Sequence, residues 1–189
     1  MGFSRRSTCS AAVALCVLTA GGTLAEERSD APPEFAIHLV AGTLTVDEAR
    51  AMALDALPLE EDPLLTERDL EAYYWPAHTL ATTEEVIERL NDVGMAGLKP
   101  ARPDDPPRPP DRLFVVSAGK ERIYLGLIWP ALRSSIPGIP HVVVPLAMSE
   151  DRSPGFGIQM IEVGDFDDPR SDPRIHEALA RAGVLRESP

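Results

Sequence analysis

Leu113-Phe-Val-Val116, Ser117-Ala-Gly-Lys120 and Arg122-Ile-Tyr-Leu-Gly-Leu-Ile128 decide the fold. Two apolar runs rich in β-branched and aromatic residues flank a segment carrying Gly119-Lys120, and that pattern predicts an antiparallel hairpin. Working outward, His141-Val-Val-Val144 and Ile158-Gln-Met-Ile-Glu-Val163 read as two further strands. Phe35-Ala-Ile-His-Leu-Val40 reads as a buried strand with a turn signal, Ala41-Gly42, behind it. Leu70 to Trp75 is an aromatic strand that Pro76 terminates, and His78-Thr79-Leu80 resumes extended chain.

Helices fall between these strands. Thr45 with Glu48 makes a capping box, and Val46, Ala49, Met52, Ala53 and Ala56 then share one helical face up to Pro58. Thr82 with Glu85 predicts a second box, followed by the stripe Val86, Ile87, Leu90 and Val93 and a stop at Gly94. Asp172-Pro173 starts a last helix, with Ile175, Ala178, Leu179 and Ala182 on one face and Gly183 beyond its end. Leu59 to Glu67 reads as a linker, and 99–111, with six prolines, as an exposed loop. The mixture without strict alternation predicts an α+β fold. Its expected form is a ferredoxin-like two-layer arrangement, a mixed and largely antiparallel sheet with helices on one face.

The first 25 residues read as a secretory leader. Arg5 and Arg6 precede an apolar run from Ala11 to Ala20, and Thr23-Leu24-Ala25 places small residues at a cleavage position. Residues 26–34 then read as a disordered lead-in and 35–189 as a single domain. Cys9 and Cys16 leave with the leader, so the mature chain has no thiol for a disulfide, a metal site or a nucleophile. The full chain carries a formal net charge of −12, from 18 basic and 30 acidic residues, and loss of Arg5 and Arg6 takes it to −14. A chain this acidic repels phosphate backbones and anionic lipid heads, which argues against nucleic acid and membrane surfaces as partners.

The motifs give no strong catalytic constellation. The chain has no glycine-rich phosphate loop, nucleophile elbow or paired metal-spaced histidines, and His38, His78, His141 and His176 stand far apart. Asp165, Asp167 and Asp168 invite a calcium reading, but the sixth and twelfth places counted from Asp165 hold Arg170 and His176, where an EF-hand needs glycine and glutamate. Arg170 and Arg174 supply local counter-charge to this segment. Ser117, Ser134 and Ser135 are candidate nucleophiles, with Lys120 or His141 as base, although all three serines also suit ordinary turns. Tyr73, Trp75, Tyr124 and Trp129 are the candidate partner-binding aromatics, since alternation puts Tyr73 and Trp75 on one face of their strand and Tyr74 on the other. The segment from Tyr73 to Leu80, interrupted by Pro76, is the expected sheet edge or its neighbour.

The stretch from Leu65 to about Val163 resembles the first periplasmic head domain of the protein-export membrane proteins SecD and SecDF. The likeness lies in Leu65-Thr66-Glu67-Arg68-Asp69-Leu70, His78-Thr79-Leu80-Ala81-Thr82, Val115-Val116-Ser117-Ala118-Gly119-Lys120 and Ser134-Ser135-Ile136-Pro137. Transmembrane helices and intramembrane acidic residues, which those proteins carry, do not follow the leader here, so a translocation motor is not expected. What the resemblance implies is a ferredoxin-like fold and a surface that meets extended polypeptide. The sequence therefore leads to a non-enzymatic protein exported to the periplasm or the extracellular space, without a cofactor or metal, that binds polypeptide or an envelope protein partner. A small secreted serine hydrolase and a cation-binding module are the alternatives.

Overall fold

The hairpin forms the middle of the structure and is longer than its sequence signal. The computed structural model describes residues 32–96, 112–131, 137–144, 155–161 and 167–188. In chain order they form β1 (Phe35–Leu39), α1 (Val46–Ala51), β2 (Leu65–Thr66), β3 (Leu70–Tyr74), β4 (Thr79–Thr82), α2 (Glu84–Ala96), β5 (Arg112–Ala118), β6 (Glu121–Pro130), β7 (His141–Val144), β8 (Gly155–Gly157), α3 (Pro173–Arg181) and β9 (Leu185–Arg186). β5 and β6 turn tightly at Gly119-Lys120, with Ala118 opposite Glu121, and an irregularity in register follows Val116. Opposite Phe114 stands Gly126, and a Cβ there would run into the Phe114 ring. The glycine leaves room for the ring to lie across its neighbouring strand.

Two sheets result. One has the order β2-β1-β5-β6-β7 and the other β8-β4-β3-β9. β6 and β7 run parallel, as do β3 and β9, and the remaining pairs are antiparallel. The α+β class is therefore the fold. Side-chain alternation along β5 sends Phe114 and Val116 into one apolar cluster and Leu113 and Val115 into another. The first cluster unites the five-stranded sheet with α2 (Val86, Ile87, Leu90), α3 (Ile175, Ala178, Leu179) and the smaller sheet (Tyr73, Leu80, Phe156). The second packs Ala49 of α1 with Leu57 and Ile139 on the opposite side. Helices thus lie against both faces of the larger sheet, where one face was expected.

Several boundaries differ from the sequence reading, each for a local reason. Thr45 and Glu48 do form their capping box, but α1 lasts only six residues before a separate 3-10 turn at Leu54–Ala56. Arg122 Nη1 donates to the carbonyls of Leu54 and Leu57 at 2.9 and 2.7 Å, and so holds that turn in place of a longer helix. The expected linker at 59–67 contains β2, and Leu59 bridges Val40. Thr82 is not a helix cap. Its hydroxyl donates to Asp69 O at 2.6 Å from within β4, and α2 starts two residues later. α2 also continues through Gly94 to Ala96, because that glycine is where the helix backbone meets Ile128 and Val144. Of the expected strand over 158–163, Ile158 is buried and Gln159 makes an isolated bridge to His141, β8 precedes it, and residues 162 and 163 lie outside the described residues. Asp172 caps α3 through Arg174 N–H with Pro173 in the first turn, as its motif predicts. The leader, most of the lead-in and the 99–111 loop lie outside the described residues.

Candidate functional site

The site forms where β3 breaks. Pro76 cannot continue a ladder, and Trp75–Ala77 curl into a 3-10 turn closed by His78 in the left-handed region, at φ 46° and ψ 43°. A histidine in that region is uncommon and strained by roughly 1 kcal/mol. Its surroundings hold it there: Ile158 N–H donates to His78 O at 3.0 Å, and the ring is only 6 % exposed. His78 Nδ1 lies 3.2 Å from Tyr73 Oη and Nε2 lies 3.3 Å from Ser171 Oγ. Asp168 Oδ2 stands 3.6 Å from the same Nε2, an ion-pair distance.

Asp168 is itself clamped. Arg170 Nε donates to both its oxygens at 2.9 and 3.1 Å, Arg170 Nη2 donates at 2.7 Å, and Arg170 N–H donates to Oδ1 at 2.9 Å. Arg170 Nη1 reaches across to Ile158 O at 2.8 Å. Bidentate pairs of this kind fix geometry as well as charge. Burial works to raise the Asp168 pKa, but the hydrogen bonds and charge of Arg170, with help from His78, bring it below the ordinary carboxylate value. Burial and the Arg170 charge hold the His78 pKa below the usual imidazole value, against the pull of Asp168. Tyr73 is almost wholly buried, and burial raises its phenol pKa well above the usual range.

Those shifts keep the phenol protonated and the imidazole neutral near neutral pH. Tyr73 Oη and His78 Nδ1 share a hydrogen bond whose donor depends on the imidazole tautomer. In the tautomer in which Tyr73 donates, the ring carries its proton on Nε2, facing Ser171 Oγ and the Asp168 carboxylate. A general base must offer a lone pair to the hydroxyl it activates. In that tautomer the nitrogen beside exposed Ser171 is a donor, and in the other it offers its lone pair to the hydroxyl. The arrangement ties the Asp168–Ser171 turn to the β3–β4 connection.

Trp75 lies against this cluster, half-buried. Its ring makes edge contacts with His78 at a centroid distance of 5.5 Å and with His176 of α3 at 4.9 Å. Of the other three sequence-derived aromatics, Tyr73 is 1 % exposed, Tyr124 5 % and Trp129 9 %. They are core residues. Tyr73 packs edge-on to Phe35, and Trp129 belongs to the cluster on the opposite side of the larger sheet, so the four do not form one patch. β3 and β4 are inner strands, each beside an edge: β9 flanks β3 and β8 flanks β4.

The other candidates scatter. Ser117 is buried and its hydroxyl donates to Ala36 O at 3.4 Å. His141 is buried, with Nδ1 3.1 Å from Ile139 O, and Lys120 is exposed at the hairpin tip. Ser134, Ser135 and Asp165 lie outside the described residues. Asp168 and Asp172 spend their oxygens on Arg170 and Arg174, as the local counter-charge reading expects. Ser171 was missed as a site residue. Its only trace in the sequence is the Asp168-Pro-Arg-Ser171 turn, and nothing there points to His78, 93 positions away.

Among the described residues no helix is long and apolar enough to cross a membrane. Comparison with protein-family models, curated proteins and solved structures finds no match to this chain.

Proposed function

We propose that this chain is an exported, non-enzymatic module that binds extended polypeptide or an envelope protein partner, in the periplasm or outside the cell. The observation that carries the reading is Trp75, a large amphipathic ring left half-buried and held between His78 and His176 beside the short edge strand β9. Rigid aromatic side chains at a sheet edge suit β-strand addition, in which backbone hydrogen bonds give affinity and an adjoining pocket selects side chains. The resemblance to the SecD head domain supports the same partner class. On that reading, the layer of α2 and α3 over the larger sheet is the counterpart of a ferredoxin-like layer.

The test uses a permanently unfolded probe, a reduced and alkylated polypeptide, titrated against the mature protein and its Trp75→Ala variant. Binding weakened at least tenfold by the variant, with the fold intact by circular dichroism, supports the proposal. Equal binding by both proteins, or none by either, rejects it. The 3.3 Å contact between Ser171 and His78 is the one observation favouring a serine hydrolase. An ester and peptide hydrolysis screen in which activity disappears with Ser171→Ala replaces the binding reading with that one.

A further inference from the structure

The free side of β3 is already occupied by a strand of the same chain, β9. α3 is fixed in the core by Ile175, Ala178 and Leu179, each 0–1 % exposed, and by Arg181, whose Nε and Nη2 donate to Glu34 at 2.9 and 2.8 Å. Past Gly183 the attachment thins. Val184 and Leu185 are half-buried, and β9 matches β3 over two residue pairs, Tyr73 with Leu185 and Tyr74 with Arg186. Tyr73 N–H donates to Val184 O at 2.8 Å. The polar side chains of this segment make their described bonds away from β3: Arg186 Nη1 bonds Gly183 O and Leu185 O of its own segment, and Glu187 lies 3.5 Å from His176 on α3. A strand held by backbone bonds and two half-buried aliphatic side chains, Val184 and Leu185, is the local structure that opens without global unfolding. Two-residue parallel edges are also what an incoming strand can replace.

We propose that residues 184–186 are a displaceable self-strand. They occupy the partner's place on β3, beside Trp75, and give it up to an extended polypeptide that carries an aliphatic residue at the position of Leu185. The inference rests on the polypeptide-binding reading and adds how that site is regulated.

Amide hydrogen exchange on the full chain tests the opening, and a synthetic hexapeptide of residues 184–189, Val-Leu-Arg-Glu-Ser-Pro, tests the replacement. Arg186→Pro removes an N–H from the edge strand. It should speed exchange at the Tyr73 amide at least tenfold while the amides of β5 and β6 keep their rates. The peptide should bind this variant at least tenfold more tightly than the parent, and binding should restore Tyr73 protection. Tyr73 exchange that tracks global unfolding in both proteins overturns the proposal. Peptide binding of equal strength to both places the partner elsewhere and overturns the self-strand while leaving polypeptide binding standing. A released tail with no peptide binding overturns both. If Arg186→Pro does not fold, Leu185→Ala, which trims one of the two aliphatic anchors, carries the same comparison.

Discussion

Replacing Tyr73 by phenylalanine isolates the bond on which the site is built. The ring keeps its edge contact with Phe35 at 6.1 Å and its place in the core, so apolar burial is nearly unchanged. What disappears is the hydroxyl that shares a hydrogen bond with His78 Nδ1. A buried polar group left without its partner costs about 1–3 kcal/mol, whereas deleting the ring with alanine costs about 3–5 kcal/mol and confounds the hydrogen bond with a cavity. Against a total stability of about 5–15 kcal/mol, the phenylalanine variant still folds and is measurable. Urea denaturation should show a lower midpoint with an unchanged slope, the signature of lost stability without altered compactness. A cycle with His78→Gln should show coupling of roughly 0.5–3 kcal/mol between the two positions. A Tyr73→Phe loss below about 0.3 kcal/mol, or additivity in the cycle, refutes the Tyr73–His78 hydrogen bond as a support of the site.

Acid should weaken the fold in two windows. The folded pKa of His78 lies below its unfolded value of 6.5, so the unfolded chain takes up that proton first and stability falls as pH drops below about 6.5. The depressed Asp168 pKa adds a second loss below about pH 3.8, and in a denaturation series against pH His78→Gln should flatten the first window while the second, carried mainly by Arg170, persists in weakened form. Gly94→Ala should destabilise by about 1–3 kcal/mol, because the added methyl meets Ile128 Cγ2 at 2.8 Å and clashes with Val144, and thermal unfolding checks it. Thr82→Val removes the 2.6 Å donation to Asp69 O and should lower stability by about 1–3 kcal/mol in the same assay.

What was legible in the sequence is what rests on neighbours along the chain. The Thr45 box, the Asp172-Pro173 start of α3 and the Gly119-Lys120 hairpin all come from contacts within a few residues, and all appear where their residues put them. The second capping box failed because Thr82 and Thr83 are adjacent, and a tertiary bond to Asp69, 13 positions back, claims the first hydroxyl for β4. Strands of two or three residues, β2, β8 and β9, carry too short a pattern to register as alternation. Alternation did pair Tyr73 with Trp75, but a 3-10 turn begins at Trp75, so one ring enters the core and the other stays half-buried. The His78 cluster was illegible for a further reason. Its members come from β3, the turn after it and the Asp168–Ser171 turn, and only the folded sheet order brings them within hydrogen-bond reach.

The most direct test of the central claim is NMR shift mapping of the reduced and alkylated polypeptide on the isotope-labelled protein. Polypeptide binding at the β3 edge predicts concentration-dependent shifts at the Trp75 indole N–H, the Tyr73 amide and the amides of Leu185 and Arg186, with the Trp129 indole, on the opposite side of the larger sheet, unmoved. No shift at any of these positions up to millimolar probe, or shifts confined to the Trp129 side, contradicts it.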